Sequence, residues 1–258
     1  MTATNPAMPV VLDEHFILFQ QLPLIYGRVP KVANSSVKAA LTRLLDQPPE
    51  ESYRTTADAL WSKGTHGETT MVDAVEAMQR RSSHFCFSFV RNPFDRLVSA
   101  YNNKLIENDT LSTAMQRMGL ERHMPFRRFL EVVVATADAD LDVHLLPQSS
   151  ILCIDGVPVP GFIGQMEAMA EHWQLLRRRM RQAGLPALGK LPSKNVRRAG
   201  ESDLTDHFSD ENLISLARER YREDVELFYG DHDLYKLARG QLSVTPTPLE
   251  RITATLPA

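Results

Sequence analysis

The stretch FCFSFVRNPFDRLVSAY, residues 85–101, predicts a strand, a short joint and a helix in direct succession. Residues 85–90 carry apolar side chains at both sets of alternating positions, which is typical of a strand buried on both faces in a parallel sheet. Pro93 suits the first turn of a helix, where its missing N–H has no intrahelical partner. The stretch therefore predicts a central strand that leads into a helix, with Arg91 at the joint.

Strand-like and helix-like segments alternate along the rest of the chain. Further strands are predicted at 22–29, 149–154 and 161–165, from short apolar runs. Apolar residues at helical spacing predict helices at 37–45, 71–81, 125–137, 167–184 and 209–230, the last with Ser209 as its N-cap. This alternation predicts an α/β fold, a three-layer sandwich around a central, mostly parallel sheet.

Length and composition indicate one globular domain. Of the 258 residues, 43% are hydrophobic and 24% are charged, which is ordinary for a globular protein. The net charge of -3 argues against a general affinity for nucleic acid, which depends on clustered Lys and Arg. We expect one domain at 23–240, preceded by an N-terminal arm at 1–22 and followed by a Thr- and Pro-rich tail at 241–258.

Several features predict a reducing, cytoplasmic location. No basic segment followed by an apolar run opens the chain, and no apolar run reaches membrane-spanning length. Cys86 and Cys153 both lie in apolar strand-like runs, where a thiol behaves as a small hydrophobe. We therefore expect neither a disulfide nor a metal site at these cysteines.

The joint after the first predicted strand carries groups that suit an anion. The strand ends at Val29, Lys31 stands in the loop, and Ser35 and Ser36 begin a helix. A helix N-terminus offers free N–H groups and a partial positive charge, which suit phosphate or sulfate. The loop is not a Walker A motif, because it has no glycine between Gly27 and the helix.

The joint at Arg91 is predicted to lie at the same edge of the sheet as Lys31, since the carboxyl ends of parallel strands meet there. Ser99 falls on the side of the following helix that can face Arg91. An arginine fork and a hydroxyl together suit a terminal phosphate. Arg96 is interpreted instead as a structural residue, ion-paired with Asp95 or with a neighbouring helix.

Together, PKVANSSVKAAL (30–41) and FSFVRNPFDRLVSAY (87–101) resemble the two cofactor-binding elements of the carbohydrate sulfotransferases. These enzymes transfer a sulfuryl group from 3′-phosphoadenosine 5′-phosphosulfate (PAPS) to a sugar hydroxyl. The second element of the family, R-x-P-x-x-R-x-x-S-x-Y, is matched in full by Arg91, Pro93, Arg96, Ser99 and Tyr101. Weaker similarities follow in the family's order in HLLPQSSIL (144–152), FIGQMEAMAEHWQLL (162–176), LPSKNV (191–196) and YREDVELF (221–228).

The resemblance implies a P-loop-kinase-like sulfotransferase fold, with PAPS as co-substrate and no metal ion. It implies that the first loop binds the 5′-phosphosulfate through Pro30, Lys31, Val32, Ala33, Asn34, Ser35 and Ser36. Arg91 and Ser99 would bind the 3′-phosphate, and Lys194 and Asn195 would contact the nucleotide. Many relatives carry Thr in the first loop where this chain has Ser, which supplies an equivalent hydroxyl.

Sulfuryl transfer also needs groups that stabilise charge and accept a proton. Lys31 is expected to stabilise the leaving phosphate. A histidine, with an ordinary pKa of about 6.5, can accept the proton of the acceptor hydroxyl. Relatives with a histidine base carry it between the two elements, where this chain has His66 and Glu68, so both are predicted as catalytic. His144 is a further candidate, either as a residue that orients the acceptor or as a hydrogen-bonded structural histidine.

The predicted function is therefore transfer of a sulfuryl group to a hydroxyl of a carbohydrate or another acceptor, in a bacterial enzyme. Eukaryotic relatives generally carry an N-terminal membrane helix, which we do not expect in this protein. One alternative is a catalytically silent module that binds a nucleotide or a sulfated glycan. A small-molecule kinase is a further alternative, against which the missing Walker A glycines argue.

Overall fold

The computed structural model describes residues 13–192, 204–242 and 247–250. Within these ranges the strands are β1 (Phe16–Phe19), β2 (Leu24–Gly27), β3 (Thr69–Val72), β4 (Phe85–Val90), β5 (Cys153–Ile154), β6 (Val157–Pro158), β7 (Phe162–Gln165) and β8 (Leu249–Glu250). All except β5 and β6, which pair with each other, belong to one six-stranded sheet.

The helices of the same ranges pack around this sheet. They are α1 (Asn34–Leu41), α2 (Asp58–Lys63), α3 (Ala74–Gln79), α4 (Pro93–Tyr101), α5 (Thr113–Arg117), α6 (Phe126–Ala135), α7 (Gln148–Leu152), α8 (Met169–Gln182), α9 (Leu204–His207), α10 (Glu211–Arg220), α11 (Arg222–Tyr229) and α12 (Leu234–Ala238). No helix among the described residues is both long and apolar enough to cross a bilayer.

The main sheet has the strand order β3-β1-β2-β4-β7-β8. The neighbours β2, β4 and β7 are parallel, while β1 runs antiparallel to both β2 and β3, and β8 runs antiparallel to β7. Four of the six strands, β2, β3, β4 and β7, therefore point in the same direction. The predicted α/β fold with a mostly parallel central sheet is confirmed.

The sheet lies between two covering layers. Every residue of β2 and β7 is buried, and so is every residue of β4 after Phe85. Successive side chains of a strand point to opposite faces, so burial of consecutive residues requires cover on both faces. The rings of Tyr26 and Phe87 stack across β2 and β4 with centroids 5.1 Å apart. The core therefore surrounds the three parallel strands, as in a three-layer sandwich.

One strand lies where the sequence predicted an arm. Residues 16–19, within the expected arm 1–22, form β1, and all four are buried between β2 and β3. The FILF run is too short for its periodicity to separate a strand from other buried structure. At the other end of the chain, β8 lies within the expected tail and pairs with β7 at the edge of the sheet.

Three other predicted elements differ from the structure. Residues 148–152 form helix α7 instead of a strand, and residues 69–72 form strand β3 ahead of helix α3. The predicted helix 209–230 is divided at Tyr221 into α10 and α11, and its N-cap is Asp210, whose side chain accepts from the Asn212 N–H.

A buried carboxylate explains why 148–152 is helical. Asp224, on α11, is completely buried and accepts the backbone N–H of Gln148 at 2.9 Å and that of Ser149 at 2.7 Å. These N–H groups belong to the first turn of α7, which has no partner for them within the helix. A contact 75 residues away along the chain thus stabilises a helix that local sequence does not predict.

We expect Asp224→Ala to lower the free energy of unfolding by about 2–4 kcal/mol, because it leaves buried N–H groups without an acceptor. Urea denaturation followed by circular dichroism measures this loss. The neighbouring Glu223 is exposed, so Glu223→Ala is the matched control and should change stability by less than about 0.5 kcal/mol. Equal effects of the two substitutions would contradict this role of Asp224.

Candidate active site

The carboxyl ends of the three parallel strands meet at one edge of the sheet. Gly27 pairs with Ser88 and Val90 pairs with Gln165, so the loops after β2, β4 and β7 leave from that edge together. The predicted proximity of Lys31 and Arg91 is found there, since the Arg91 guanidinium donates to the Lys31 carbonyl oxygen at 3.1 Å. Ligands of open α/β sheets bind at this edge.

The loop after β2 has an unusual backbone for a segment without glycine. Lys31 and Ala33 adopt left-handed φ angles of 68° and 46°. Such a conformation costs about 1–2 kcal/mol for each residue that has a Cβ. Two arginines hold the loop in place, with Arg91 bound to the Lys31 carbonyl and Arg96 Nε donating to the Pro30 carbonyl at 3.0 Å. The surrounding structure, rather than the loop itself, imposes this shape.

The N-terminus of α1 is suited to an anion. Its N-cap residue, Ala33, provides no side-chain hydrogen bond, and no acidic residue lies in the first turn. The Asn34 side chain instead accepts from the Tyr26 hydroxyl at 3.2 Å. Ser35 is half-buried and Ser36 is buried beside it, while the side chain of Val32 packs in the core. The first-turn amides and hydroxyls can therefore receive phosphate or sulfate oxygens.

Arg91 is fixed on the other side of the site. Its Nε donates to Asp95 Oδ2 at 2.6 Å, and its side chain is 11% exposed. Its backbone N–H and carbonyl both bind the amide of Gln148, at 2.9 and 2.8 Å. Ser99, almost wholly buried, lies one turn beyond Asp95 and so on the same face of α4. The joint binding of a phosphate by Arg91 and Ser99 stays a prediction.

Arg96 is structural, but not through the predicted ion pair. Asp95 binds Arg91 instead, and the buried Arg96 guanidinium donates to the carbonyls of Pro30, Leu146 and Val143, at 3.0, 2.6 and 3.5 Å. Carbonyl oxygens can satisfy a buried guanidinium without a carboxylate. Arg96 thereby joins the Lys31 loop to the segment that contains His144.

A π-helical turn follows α4 over residues 102–107. Wide turns of this kind are frequent at functional sites, because the extra residue redirects the side chains of the turn. Here the turn places Asn103 so that its Oδ1 accepts from Lys31 Nζ at 3.0 Å. The sequence does not predict this position of Asn103, because no local pattern distinguishes a π-turn from the end of an α-helix.

His66 and Glu68 lie at the opposite edge of the sheet. They directly precede β3, whose first residue, Thr69, pairs with Phe19, whereas Phe16 at the other end of β1 pairs with Gly27. The length of a four-residue strand, about 13 Å, therefore separates their loop from the site edge. This placement contradicts the catalytic role predicted for both residues.

The contacts of these two residues are local. A His66 ring nitrogen lies 3.1 Å from the Pro48 carbonyl, and the Glu68 carboxylate accepts the backbone N–H groups of Asp46 and Gln47, at 2.7 and 2.9 Å. His66 is exposed and has a left-handed φ of 52°. The loop that carries His66 and Glu68 is thus a tight connection between α2 and β3.

His144 lies on the site side of the molecule. Its Nδ1 bonds to Asp142 Oδ1 at 2.7 Å. Burial is the largest influence on its pKa, which is lowered, and the charges of Lys104 and Lys31 lower it further. Arg96 binds the carbonyls of Val143 and Pro30, which directly precede His144 and Lys31, so one guanidinium joins the two segments although 113 positions separate these residues in the sequence. The predicted nucleotide contacts Lys194 and Asn195 lie outside the described residues.

Comparison with known proteins agrees with this geometry. A model described as "Sulfotransferase family" matches residues 14–230, which is most of the chain and includes β1. The chain belongs to the sulfotransferase family. A region of 106 residues of this sulfotransferase is 30% identical to carbohydrate sulfotransferase 10 of Pongo abelii, and it covers 40% of the chain and 29% of that relative. No solved structure matches the chain.

We expect Glu68→Ala to destabilise the sulfotransferase by about 1 kcal/mol, because two backbone N–H groups lose their acceptor. Urea denaturation measures this change. Adenosine 3′,5′-bisphosphate is the desulfated form of PAPS, the donor that the resemblance implies. Since Glu68 lies at the far edge of the sheet, calorimetric titration with this nucleotide should give the same result for Glu68→Ala as for the wild type. A large loss of affinity for the nucleotide in Glu68→Ala would show that Glu68 contributes to the ligand site.

Proposed function

We propose that this sulfotransferase transfers the sulfuryl group of PAPS to a hydroxyl group of a carbohydrate or glycoconjugate. The observation that carries the proposal is the meeting of two anion-binding elements at one sheet edge, joined by the bond from Arg91 to the Lys31 carbonyl. PAPS has two separate anionic groups, a 5′-phosphosulfate and a 3′-phosphate. A site with two cationic elements suits such a donor better than a nucleotide with one phosphate chain.

Each element has a defined part in this proposal. The first-turn amides of α1 and the ammonium group of Lys31 would bind the 5′-phosphosulfate, with the hydroxyls of Ser35 and Ser36 as further donors. The guanidinium of Arg91 has two N–H groups engaged, by Asp95 and by the Lys31 carbonyl, and the rest can bind the 3′-phosphate together with Ser99.

Lys31 is the residue proposed to act on the reaction itself. In an in-line displacement, negative charge develops on the oxygen that bridges sulfur and the 5′-phosphate as the S–O bond breaks. A preorganised cation at that oxygen stabilises the transition state more than the ground state. Asn103 holds the ammonium group at 3.0 Å and so limits its freedom. No metal ion is proposed, because a sulfuryl group carries less charge than a phosphoryl group.

The carbohydrate part of the proposal is supported by the similarity to carbohydrate sulfotransferase 10 and by the motif at Arg91. The similar region covers 29% of that relative, so the acceptor is a matter for direct screening. Loop shape around the site determines such specificity, and fold alone does not.

Arg91→Ala should weaken binding of adenosine 3′,5′-bisphosphate by about 10- to 100-fold, because a charged hydrogen-bond donor to the 3′-phosphate is lost. Metal-free calorimetric titration measures the affinity, and the wild type should prefer the bisphosphate over ATP. Arg80→Ala is the control, since Arg80 forms an exposed ion pair with Glu76 at 2.8 Å. A wild type that prefers ATP, or that binds neither ligand, would overturn the proposed donor.

Lys31→Gln should reduce turnover far more than affinity. We expect kcat for sulfuryl transfer from PAPS to fall by about 100- to 1000-fold, as for other groups that stabilise transition-state charge. The dissociation constant of the bisphosphate should change by less than about tenfold, because the amides of α1 remain. Lys63 is exposed on α2, and Lys63→Gln is the matched control. Equal, small changes in both quantities would exclude Lys31 from the chemical step.

A further inference from the structure

A buried carboxylate holds His144 in one orientation. Asp142 is only 5% exposed and accepts three hydrogen bonds. They come from His144 Nδ1 at 2.7 Å, from the His144 backbone N–H at 2.9 Å and from the Ser112 hydroxyl at 2.5 Å. The two bonds from His144 fix both its main chain and its ring. The bond from Ser112, at the start of α5, fixes the carboxylate in turn.

These contacts determine which ring nitrogen is basic. Burial by itself would raise the pKa of Asp142, but the hydrogen bonds from His144 and Ser112 outweigh it and hold the pKa below its usual range. Asp142 is therefore ionised and accepts only, so Nδ1 of His144 carries the proton and Nε2 carries the lone pair. The side chain of His144 is 27% exposed, which leaves it accessible to a ligand.

The position of His144 relative to the Lys31 loop is also fixed. Arg96 binds the carbonyls of Val143 and Leu146, the first of which directly precedes His144, and the same guanidinium binds the Pro30 carbonyl next to Lys31. One rigid group thus joins the proton-accepting segment to the loop proposed to hold the sulfuryl donor. An imidazole held by a carboxylate, at an accessible position beside a cationic site, is the arrangement of a general base.

We propose that His144 is the general base of the sulfuryl transfer and that Asp142 is its positioning residue. The inference rests on the proposed function and assigns it the proton acceptor that His66 and Glu68 cannot supply. The hydroxyl proton of the acceptor passes to Nε2 of His144, and the acceptor oxygen forms the new S–O bond. The S–O bond to the 5′-phosphate breaks, and its electron pair leaves with adenosine 3′,5′-bisphosphate. The imidazolium then releases the proton to water.

Burial, together with two nearby lysines, lowers the pKa of His144 and so favours its proton-accepting form. Burial is the main cause of its lowered pKa, and Lys104 on the π-turn and Lys31 add to this effect by charge repulsion. Asp142 opposes them, through its hydrogen bond and its charge. A base must be neutral to accept a proton, so activity should fall as the pH decreases through a value below 6.5, the ordinary pKa of histidine.

The test is sulfuryl transfer from PAPS labelled in its sulfur, with para-nitrophenyl β-galactoside and water as the acceptors, from pH 5 to 9. His144→Gln should reduce kcat by about 100-fold or more and remove the decline at acidic pH. Its affinity for adenosine 3′,5′-bisphosphate should equal that of the wild type. His84→Gln is the matched control, because His84 is a partly buried histidine at the amino end of β4, the far edge of the sheet.

Two further variants separate a catalytic role from a structural one. Lys104→Gln removes a repelling charge, so the acidic decline should move to higher pH while the bisphosphate still binds. Asp142→Asn removes the interactions that raise the pKa of His144, so the decline should move to lower pH and kcat should fall. If His144 had only a structural role, these two substitutions would not shift the pH of the acidic decline in opposite directions.

The outcomes distinguish the inference from the function on which it rests. If the wild type transfers sulfuryl groups and His144→Gln retains both the rate and the acidic decline, the inference is wrong and the proposed function stands. Failure of the wild type to bind the bisphosphate would overturn both.

Discussion

The arrangement of the site depends on one buried cation. Arg96 has almost no exposed surface, and its guanidinium is satisfied by backbone carbonyls rather than by a carboxylate. Three carbonyls with fixed directions determine the relative position of the chain segments that carry them more strictly than one mobile carboxylate would. The loop that carries Lys31 and the segment that carries His144 are therefore placed by the same group. A lysine could not reproduce this geometry, because its ammonium is a point charge without a planar fork.

The second half of the chain stabilises the other half of the site. The Asn92 backbone N–H donates to Glu167 at 2.6 Å, and the Asn92 side chain donates to the Leu237 carbonyl at 2.7 Å. Tyr229 donates its hydroxyl to the same Glu167 at 2.9 Å. With Gln148 on the opposite side, these contacts hold the joint between β4 and α4. The position of Arg91 thus depends on residues more than 130 positions later in the sequence, beyond the strand and helix that flank it.

The features that could be predicted from the sequence are those that local sequence pattern and sheet topology determine. The burial of β4, the helix that begins at Pro93 and the meeting of the Lys31 and Arg91 joints all follow from periodicity, turn chemistry and the geometry of parallel strands. Long-range contacts determine the rest. The helix at 148–152 requires Asp224, the partners of Arg96 are distant carbonyls, and His66 was misplaced because the direction of β3 depends on β1, a strand the sequence did not reveal. Pairing between distant residues leaves no local signature.

The left-handed residues of the first loop also bear on the order in which the protein folds. Lys31 and Ala33 adopt their backbone conformations against their own preference, and contacts from Arg91, just before α4, and from Arg96, on α4, compensate for it. An isolated peptide of this loop would not adopt the same backbone conformation, because the compensating arginines would be missing. The loop should therefore reach its final conformation late in folding, after α4 has docked on the sheet. Its capacity to hold an anion is then a property of the completed fold, and ligand binding reports that folding has reached its end.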